Sequence, residues 1–430
     1  MKKTKIKLRN LVIYQIYTRN FSQAGTFKGI IDELDRIKAM GVDVVYLLPI
    51  HPVGEVEKKG PLGCPYSIKD YRAIRKELGS MEDYQLLIDE VHNRKMKIMM
   101  DIVFNHTSKD SVLLETHPEY FLHNESGKPI CKIDDWSDVA DFDYKSDKAL
   151  WAELSNTLVD YTKMGVDAFR CDVASFVPNA FWKLARREVN RVNRNVFWLS
   201  ESVHGGFTKF VRDLGYDCQS ESELYENFDM AYDYDIQPYY EDYLHGKRPL
   251  KDYLEAIQRQ EEIYPNNYVK MKNLENHDFD RIASYVNNDL DKIKNWTGLN
   301  YFQKGAVMIY AGEEYLADIK PTLFDKQLFN RNGDIQDYLK KLNQLKKKTI
   351  FSKGVFHINL PEIDGVAYNT VENDNEKYVG IFNVGQTEGQ LKVDLSDSRY
   401  RNYLTGRIVT VKDGYVKLGN DPIIIKLKKQ

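Results

Sequence analysis

FKGIIDELDRIKAMGVDVVYLLPI, residues 27–50, is a helix and a strand caught at their join. The first part is an amphipathic helix closed by Gly41, and the second, VDVVYLLPI (42–50), is an apolar run rich in strand formers. The same alternation runs on either side. VIYQIY (12–17) precedes it, and the amphipathic MEDYQLLIDEVHNRKM (81–96) and the apolar KIMMDIVF (97–104) follow. Further strand-like runs are VDAFRCDV (166–173), VFWLSESV (196–203), FDMAYDYD (228–235), YVKMKNL (268–274) and AVMIYAG (306–312). Strands that alternate with helices pair in parallel. Eight of them within roughly 250–350 residues fit a closed α/β barrel of the (β/α)8 type better than a doubly wound open sheet.

The chain has 430 residues, more than one ordinary domain needs. Between KIMMDIVF and a helix expected to begin near Ser146 lie about forty polar residues, with HPEYF, NESGKP and DDWSDV among them. A connection that long reads as a small subdomain inserted after the third strand. After the helical DIQDYLKKLNQLKKK (334–348), short strands broken by Asp-Gly and Asn-Asp turns form an all-β C-terminal sandwich domain. The expected division is a barrel over 1–104 and 146–350, an insertion over 105–145, and a β domain over 351–430.

Hydrophobic residues make up 42%, enough for a substantial core, and charged residues 29% of both signs, for a net charge of −3. That balance leaves no electrostatic footprint for nucleic acid or an anionic membrane. No run approaches a membrane span. The basic start with its short apolar run reads as a first strand, not an export signal, so a cytoplasmic location is expected. The four cysteines, Cys64, Cys131, Cys171 and Cys218, are scattered without a CxxC pair and read as free thiols.

In a barrel enzyme the chemistry sits at the C-terminal ends of the strands. Ionisable residues there are Asp101, with Asn105 and His106 just beyond, then Arg170 and Asp172, then Glu201, then His277 and Asp278. Arg170 and Asp172 stand two apart on one strand, so they share a face. A neighbouring cation favours an ionised carboxylate, so Asp172 is expected to be a nucleophile or a charge stabiliser. Glu201 has no cation beside it in sequence. Burial and nearby carboxylates would raise its pKa, as a general acid requires. Two carboxyl groups held in opposite protonation states are the pattern of glycoside hydrolysis.

At these residues the sequence resembles the alpha-amylase family of glycoside hydrolases. DIVFNH (101–106), DAFRCD (167–172), SES around Glu201 and ENHD (275–278) are similar to its four signatures, in order. DFDY (141–144) and GCPYSIKDY (63–71) are similar to its loops after the third and second strands. The resemblance implies Asp172 as nucleophile, Glu201 as acid/base and Asp278 as a brace for the distorted sugar. It implies that Arg170 orients Asp172. From its place on the third strand, Asp101 reads as part structural, bracing Arg170, and part substrate-binding. His106 and His277 would bind sugar hydroxyls, Tyr66 would stack on the ring, and Arg281 would pair with an acid or reach substrate. The implied activity is retaining cleavage of α-glucosidic, mainly α-1,4, bonds in maltooligosaccharides or starch-derived α-glucans. No cofactor is needed for that chemistry. A structural calcium at Asn105, with acids drawn from Asp134, Asp135, Asp138, Asp141 and Asp143, is the family's further implication, against a solvated acidic loop.

One departure stands out. Where many members carry a Lys-His pair after the nucleophile, this chain has Ser175 and Phe176. A bulky apolar Phe176 in place of two polar contacts leads to an expected preference for short oligosaccharides. Three other readings compete: glycosyl transfer or α-1,6 cleavage at the same site, a non-catalytic scaffold, and a Mg²⁺ enzyme. All three carboxylates are present, which disfavours the scaffold. Arg170 beside Asp172 would repel a metal ion.

Overall fold

A computed structural model describes residues 4–133 and 135–429; Asp134, one of the insertion's acids, lies outside them. The eight expected strands are all present. They are β1 (Val12–Ile16), β2 (Val44–Leu47), β3 (Lys97–Val103), β4 (Ala168–Asp172), β5 (Phe197–Ser200), β6 (Met230–Tyr232), β7 (Lys270–Lys272) and β8 (Ala306–Tyr310). They close in sequence order into a parallel barrel.

The join at residues 27–50 is built as read, with one difference. The helical part is two pieces, Phe27–Ile31 and Leu34–Met40, because Asp32 and Glu33 tighten into a turn. Gly41 then caps the helix at φ 97°, its N–H donating to the Lys38 carbonyl, and β2 starts three residues later. Gly165 repeats the device at φ 110° between the helix Lys148–Met164 and β4. Only glycine takes this left-handed turn without strain.

β2, β4 and β5 are buried along their whole length. A strand covered on both faces must be apolar almost throughout, so a charge inside one of them is conspicuous. In the stretch after β3, His106–Ser108 and Val139–Asp141 form a two-stranded antiparallel pair with His106 opposite Asp141.

The C-terminal strands are β9 (Val355–Asn359), β10 (Val366–Glu372), β11 (Glu376–Asn383), β12 (Gln390–Lys392), β13 (Ser398–Arg401), β14 (Ile408–Lys412), β15 (Tyr415–Lys417) and β16 (Ile423–Lys428). They form two four-stranded sheets, β9-β10-β11-β16 and β12-β15-β14-β13. Val366, Val379, Ile381 and Ile425 of the first and Leu391, Val411 and Val416 of the second share one core, a β-sandwich.

The chain falls into two compact units. One is built mainly from Ile13–Tyr232 and Pro321–Phe329, and the other from Lys5–Val12, Asp233–Lys320 and the C-terminal residues. No helix among the described residues is long and apolar enough to cross a membrane.

Candidate active site

Pairing of β3 with β4 sets Asp101 opposite Arg170 and Val103 opposite Asp172. Arg170, fully buried, is the centre of the first unit's site. Its Nη1 donates to Asp101 Oδ1 at 2.9 Å and to Asp172 Oδ1 at 2.7 Å, and its Nη2 lies 2.9 Å from Glu201 Oε1. The rings of Tyr66 and Tyr232 stand 5.5 and 5.6 Å from the guanidinium carbon, within cation–π range.

Asp101 is enclosed. Tyr46 and Tyr66 donate their hydroxyls to its Oδ2 at 2.8 and 3.0 Å, while Arg170 holds Oδ1. It braces Arg170 and has no exposed surface for a sugar, so direct substrate binding by Asp101 is corrected to bracing.

Glu201 continues the ladder of β5 by one residue, its N–H donating to the Cys171 carbonyl at 3.0 Å. Its Oε2 accepts from the Val173 N–H at 2.7 Å. Val173 makes that bond possible by adopting φ 38°, ψ 43° directly after Asp172. A β-branched residue in the left-handed region is strained by about 1–3 kcal/mol. The Arg170–Glu201 contact is an ion pair without hydrogen-bond alignment, and Arg170 Nε and Nη2 make no hydrogen bond.

The electrostatics differ from the sequence expectation. The sequence expectation has Arg170 holding Asp172 ionised and no cation beside Glu201 in sequence. Instead one guanidinium is shared among three carboxylates. Burial, then the charge of Glu201, pushes the Asp172 carboxyl well above the ordinary range, with Arg170 opposing. Burial likewise raises Asp101 to about 6 against the pull of Arg170. Such a cluster holds its protons jointly.

His106, buried at the edge of the insertion, is kept neutral by burial, which lowers its pKa. Its ring lies 5.8 Å from that of Trp136. Phe176 is 2% exposed, stacked between Trp136 and Phe207 at 5.8 Å each. Ser175 is also buried. Its Oγ accepts from Val203 N–H and its carbonyl from Gln219 N–H. Neither residue offers a surface to substrate, so the size preference inferred from Phe176 loses its basis.

In the second unit, the Asp278 side chain is 40% exposed and lies 3.3 Å from Nε2 of the buried His277. Asn276 Oδ1 accepts from the N–H groups of Asp278 and Phe279 at 2.8 and 2.9 Å, which shapes this turn. Arg281 is buried and engaged. It pairs with Glu275 at 2.5 Å, donates to the carbonyls of Ala311 and Ile319, and lies over the Tyr310 ring. Of its two readings, pairing with an acid is the one these contacts carry.

Three of the acids named for a calcium ion are engaged by protein groups. Ca²⁺ takes six to eight oxygens. Asp138 pairs with Lys59, Asp141 with Lys132, and Asp143 caps the Lys145 amide. Among the described residues no three His, Cys, Asp or Glu side chains gather to hold a metal.

Sequence reasoning missed Tyr46, Tyr232 and the strained Val173. A tyrosine inside an apolar strand was the available signal for the first two, since a buried hydroxyl needs a partner.

A closed parallel barrel whose strand ends gather buried carboxylates around one arginine defines the class, a barrel enzyme of the glycosidase type. The chain belongs to the alpha-amylase family: the model "Alpha amylase, catalytic domain" matches residues 15–136 and 115–350, and "Bacterial Alpha amylase C-terminal domain" matches 358–425. Among solved structures, an alpha-amylase from Lactobacillus plantarum is 39% identical with a TM-score of 0.95, covering 98% of this chain and 100% of that one. A noncanonic maltogenic alpha-amylase, AmyB, from Thermotoga neapolitana is 30% identical with a TM-score of 0.88, covering 99% and 100%. An alpha-1,4-glucan:maltose-1-phosphate maltosyltransferase from Myxococcus xanthus is 27% identical over 285 residues, 60% of this chain and 41% of its own length. The chain spans less than two thirds of the curated relatives it first matches.

Proposed function

We propose that this glycosidase hydrolyses α-glucosidic, mainly α-1,4, bonds in maltooligosaccharides or starch-derived glucans, with retention at the anomeric carbon. The observation that carries the reading is the Arg170 fork, which touches Asp172 at 2.7 Å and Glu201 at 2.9 Å. Two carboxylates on one guanidinium suit the short separation of retaining enzymes, about 5–5.5 Å, over the wider inverting one.

Asp172 attacks the anomeric carbon while the proton of Glu201 passes to the glycosidic oxygen and that bond breaks. The glycosyl ester is then opened by water, whose proton returns to Glu201 as Asp172 leaves. The shared proton of the cluster starts on Glu201 in this scheme. Tyr66 and His106 are assigned to the sugar ring and its hydroxyls, and His277 and Asp278 likewise on the family pattern. No cofactor enters the reaction. All four cysteines are free thiols, which suits a reducing, cytoplasmic setting.

A second reading is transfer of the glycosyl group to a sugar or phosphate acceptor at the same site. It is favoured by the maltosyltransferases among the relatives. An oligo-1,6-glucosidase also matches, so α-1,6 bonds belong on the test panel. Proton NMR of maltotetraose digestion, started with fresh enzyme, should show the α-anomer first, and β-anomer first would remove the nucleophile's role from Asp172. Thin-layer analysis with and without added phosphate or acceptor sugar separates hydrolysis from transfer. Products longer than the substrate, or a sugar phosphate, would replace the first reading by the second.

A further inference from the structure

Lys132 lies in the inserted stretch, seven residues before the short strand Val139–Asp141 begins, yet its side chain is only 8% exposed. Its ammonium lies 2.7 Å from Asn105 Oδ1 and 3.3 Å from Asp141 Oδ2. Its backbone N–H donates to the same Asp141 oxygen at 3.0 Å. Asp141 and Asn105 have no exposed surface. A carboxylate buried this deeply is costly unless a charge partners it, and Lys132 is that partner. A divalent ion at the same oxygens would face an ammonium already in place.

The Asn105 amide is oriented by chemistry. An ammonium only donates, so the atom facing Lys132 is Oδ1. A carboxylate only accepts, so the atom facing Asp141 Oδ1 at 3.3 Å is Nδ2. The two constraints agree. Nδ2 also lies 3.0 Å from His106 Nδ1. An amide N–H donates, so His106 Nδ1 must accept, and the ring proton of the neutral imidazole sits on Nε2.

We propose that the Lys132 ammonium is the resident cation of the insertion: it neutralises Asp141, ties the inserted stretch to the end of β3, and through Asn105 holds His106 as its Nε2–H tautomer. Lys132 is therefore a positioning residue. It gives this site, without a metal, the anchoring that a bound ion would otherwise supply. The inference rests on the contacts within the first unit and not on which glucan is cleaved.

Melting of the full-length protein after exhaustive EDTA treatment, then with millimolar CaCl2 restored, is the first test. The midpoint should stay constant. A drop on chelation that calcium reverses would overturn the proposal. The second test reads the tautomer directly. Long-range ¹H–¹⁵N correlation on histidine-labelled protein, with His106 assigned by His106→Gln, should show a single Nε2–H form, and an Nδ1–H form would overturn it. In Lys132→Met the midpoint should fall by on the order of 5–10 °C, because Asp141 is left buried without its counter-charge. An unchanged midpoint would contradict the role. If that variant fails to fold, Lys132→Met/Asp141→Asn removes both charges and both constraints on the amide. Its His106 should then mix tautomers, and a retained single Nε2–H form would show that Lys132 and Asp141 are not what sets it.

Discussion

Two clusters of buried charge in this chain can be set side by side. At the end of β4 a single guanidinium, Arg170, faces Asp101, Asp172 and Glu201. In the second unit, Lys270 and Lys272 of β7, both buried, face Asp235 and Asp233 one to one at 2.8 and 2.7 Å. Gln260 bridges the second cluster, donating to both aspartates and accepting from Lys272. Tyr264 adds its hydroxyl to Asp235.

The outcomes are opposite. Burial pushes Asp235 up, but Lys270 outweighs it and the carboxyl lies below the ordinary range. At Arg170 the same burial meets one cation for three acids, and Asp172 and Asp101 lie above it. The matched cluster is a closed structural unit. The unmatched one has protons to exchange, strain at Val173 and guanidinium N–H groups without hydrogen bonds. Charge balance, not burial, separates a buried cluster that holds the fold from one equipped for proton transfer.

The sharpest way to break this contrast is to remove a charge from each. Asp172→Asn or Glu201→Gln should lower kcat by on the order of 10³-fold or more, since a nucleophile or a positioned acid is lost. The melting temperature should not fall, because each change relieves the excess of negative charge. Near wild-type turnover by Glu201→Gln on a substrate with a poor leaving group would move the acid elsewhere.

Lys272→Met should do the reverse. It strands Asp233 without its ammonium, so a loss of about 3–5 kcal/mol of stability is expected with activity per folded molecule preserved. Lys272→Met/Asp233→Asn should recover much of the loss. Denaturant melts and active-site titration measure both. A stable but inactive Lys272→Met protein would erase the distinction between the clusters.

The smallest effect is in the pH dependence. Asp101 is raised to about 6 from an ordinary value of 3.8, so the folded state holds its proton more tightly than the unfolded chain. Stability from this group falls as pH rises between those values, and the penalty is complete above them. Asp172, raised as well, acts with the same sign. Relative to wild type, Asp172→Asn should therefore gain stability at pH 7.5 and gain less at pH 5. Melting at the two pH values checks it, and a gain that grows on acidification would show that the cluster is not strained by its charge.

Much of this was legible in the residues. β2, β4 and β5 read as strands because burial on both faces leaves almost unbroken apolar runs. Arg170 and Asp172 stood out because charges inside such a run need a reason. The partition of Arg170 among three acids was not legible, because Glu201 is 31 positions from it and meets it only when β4 pairs with β5. Nor were the partners of the three tyrosines around Arg170 and Asp101: Tyr66 was legible as a sugar-stacking residue, but nothing in Tyr46, Tyr66 or Tyr232 alone names Asp101 or Arg170. Phe176 misled for the same reason. Its place after the nucleophile was clear, but its burial between Trp136 and Phe207 depends on residues far along the chain.

By itself, the order of residues determined the barrel, the C-terminal sheets and the placement of the acids at the strand ends. Those follow from periodicity and from charge placed in apolar runs, which are local properties of a chain. Tertiary structure alone decided which acids share Arg170, that Arg281 pairs with Glu275, and that Lys132 stands between Asn105 and Asp141. Protonation and partner choice depend on burial and on distances of a few ångströms between side chains distant in sequence, and the closing of the fold is what creates those distances.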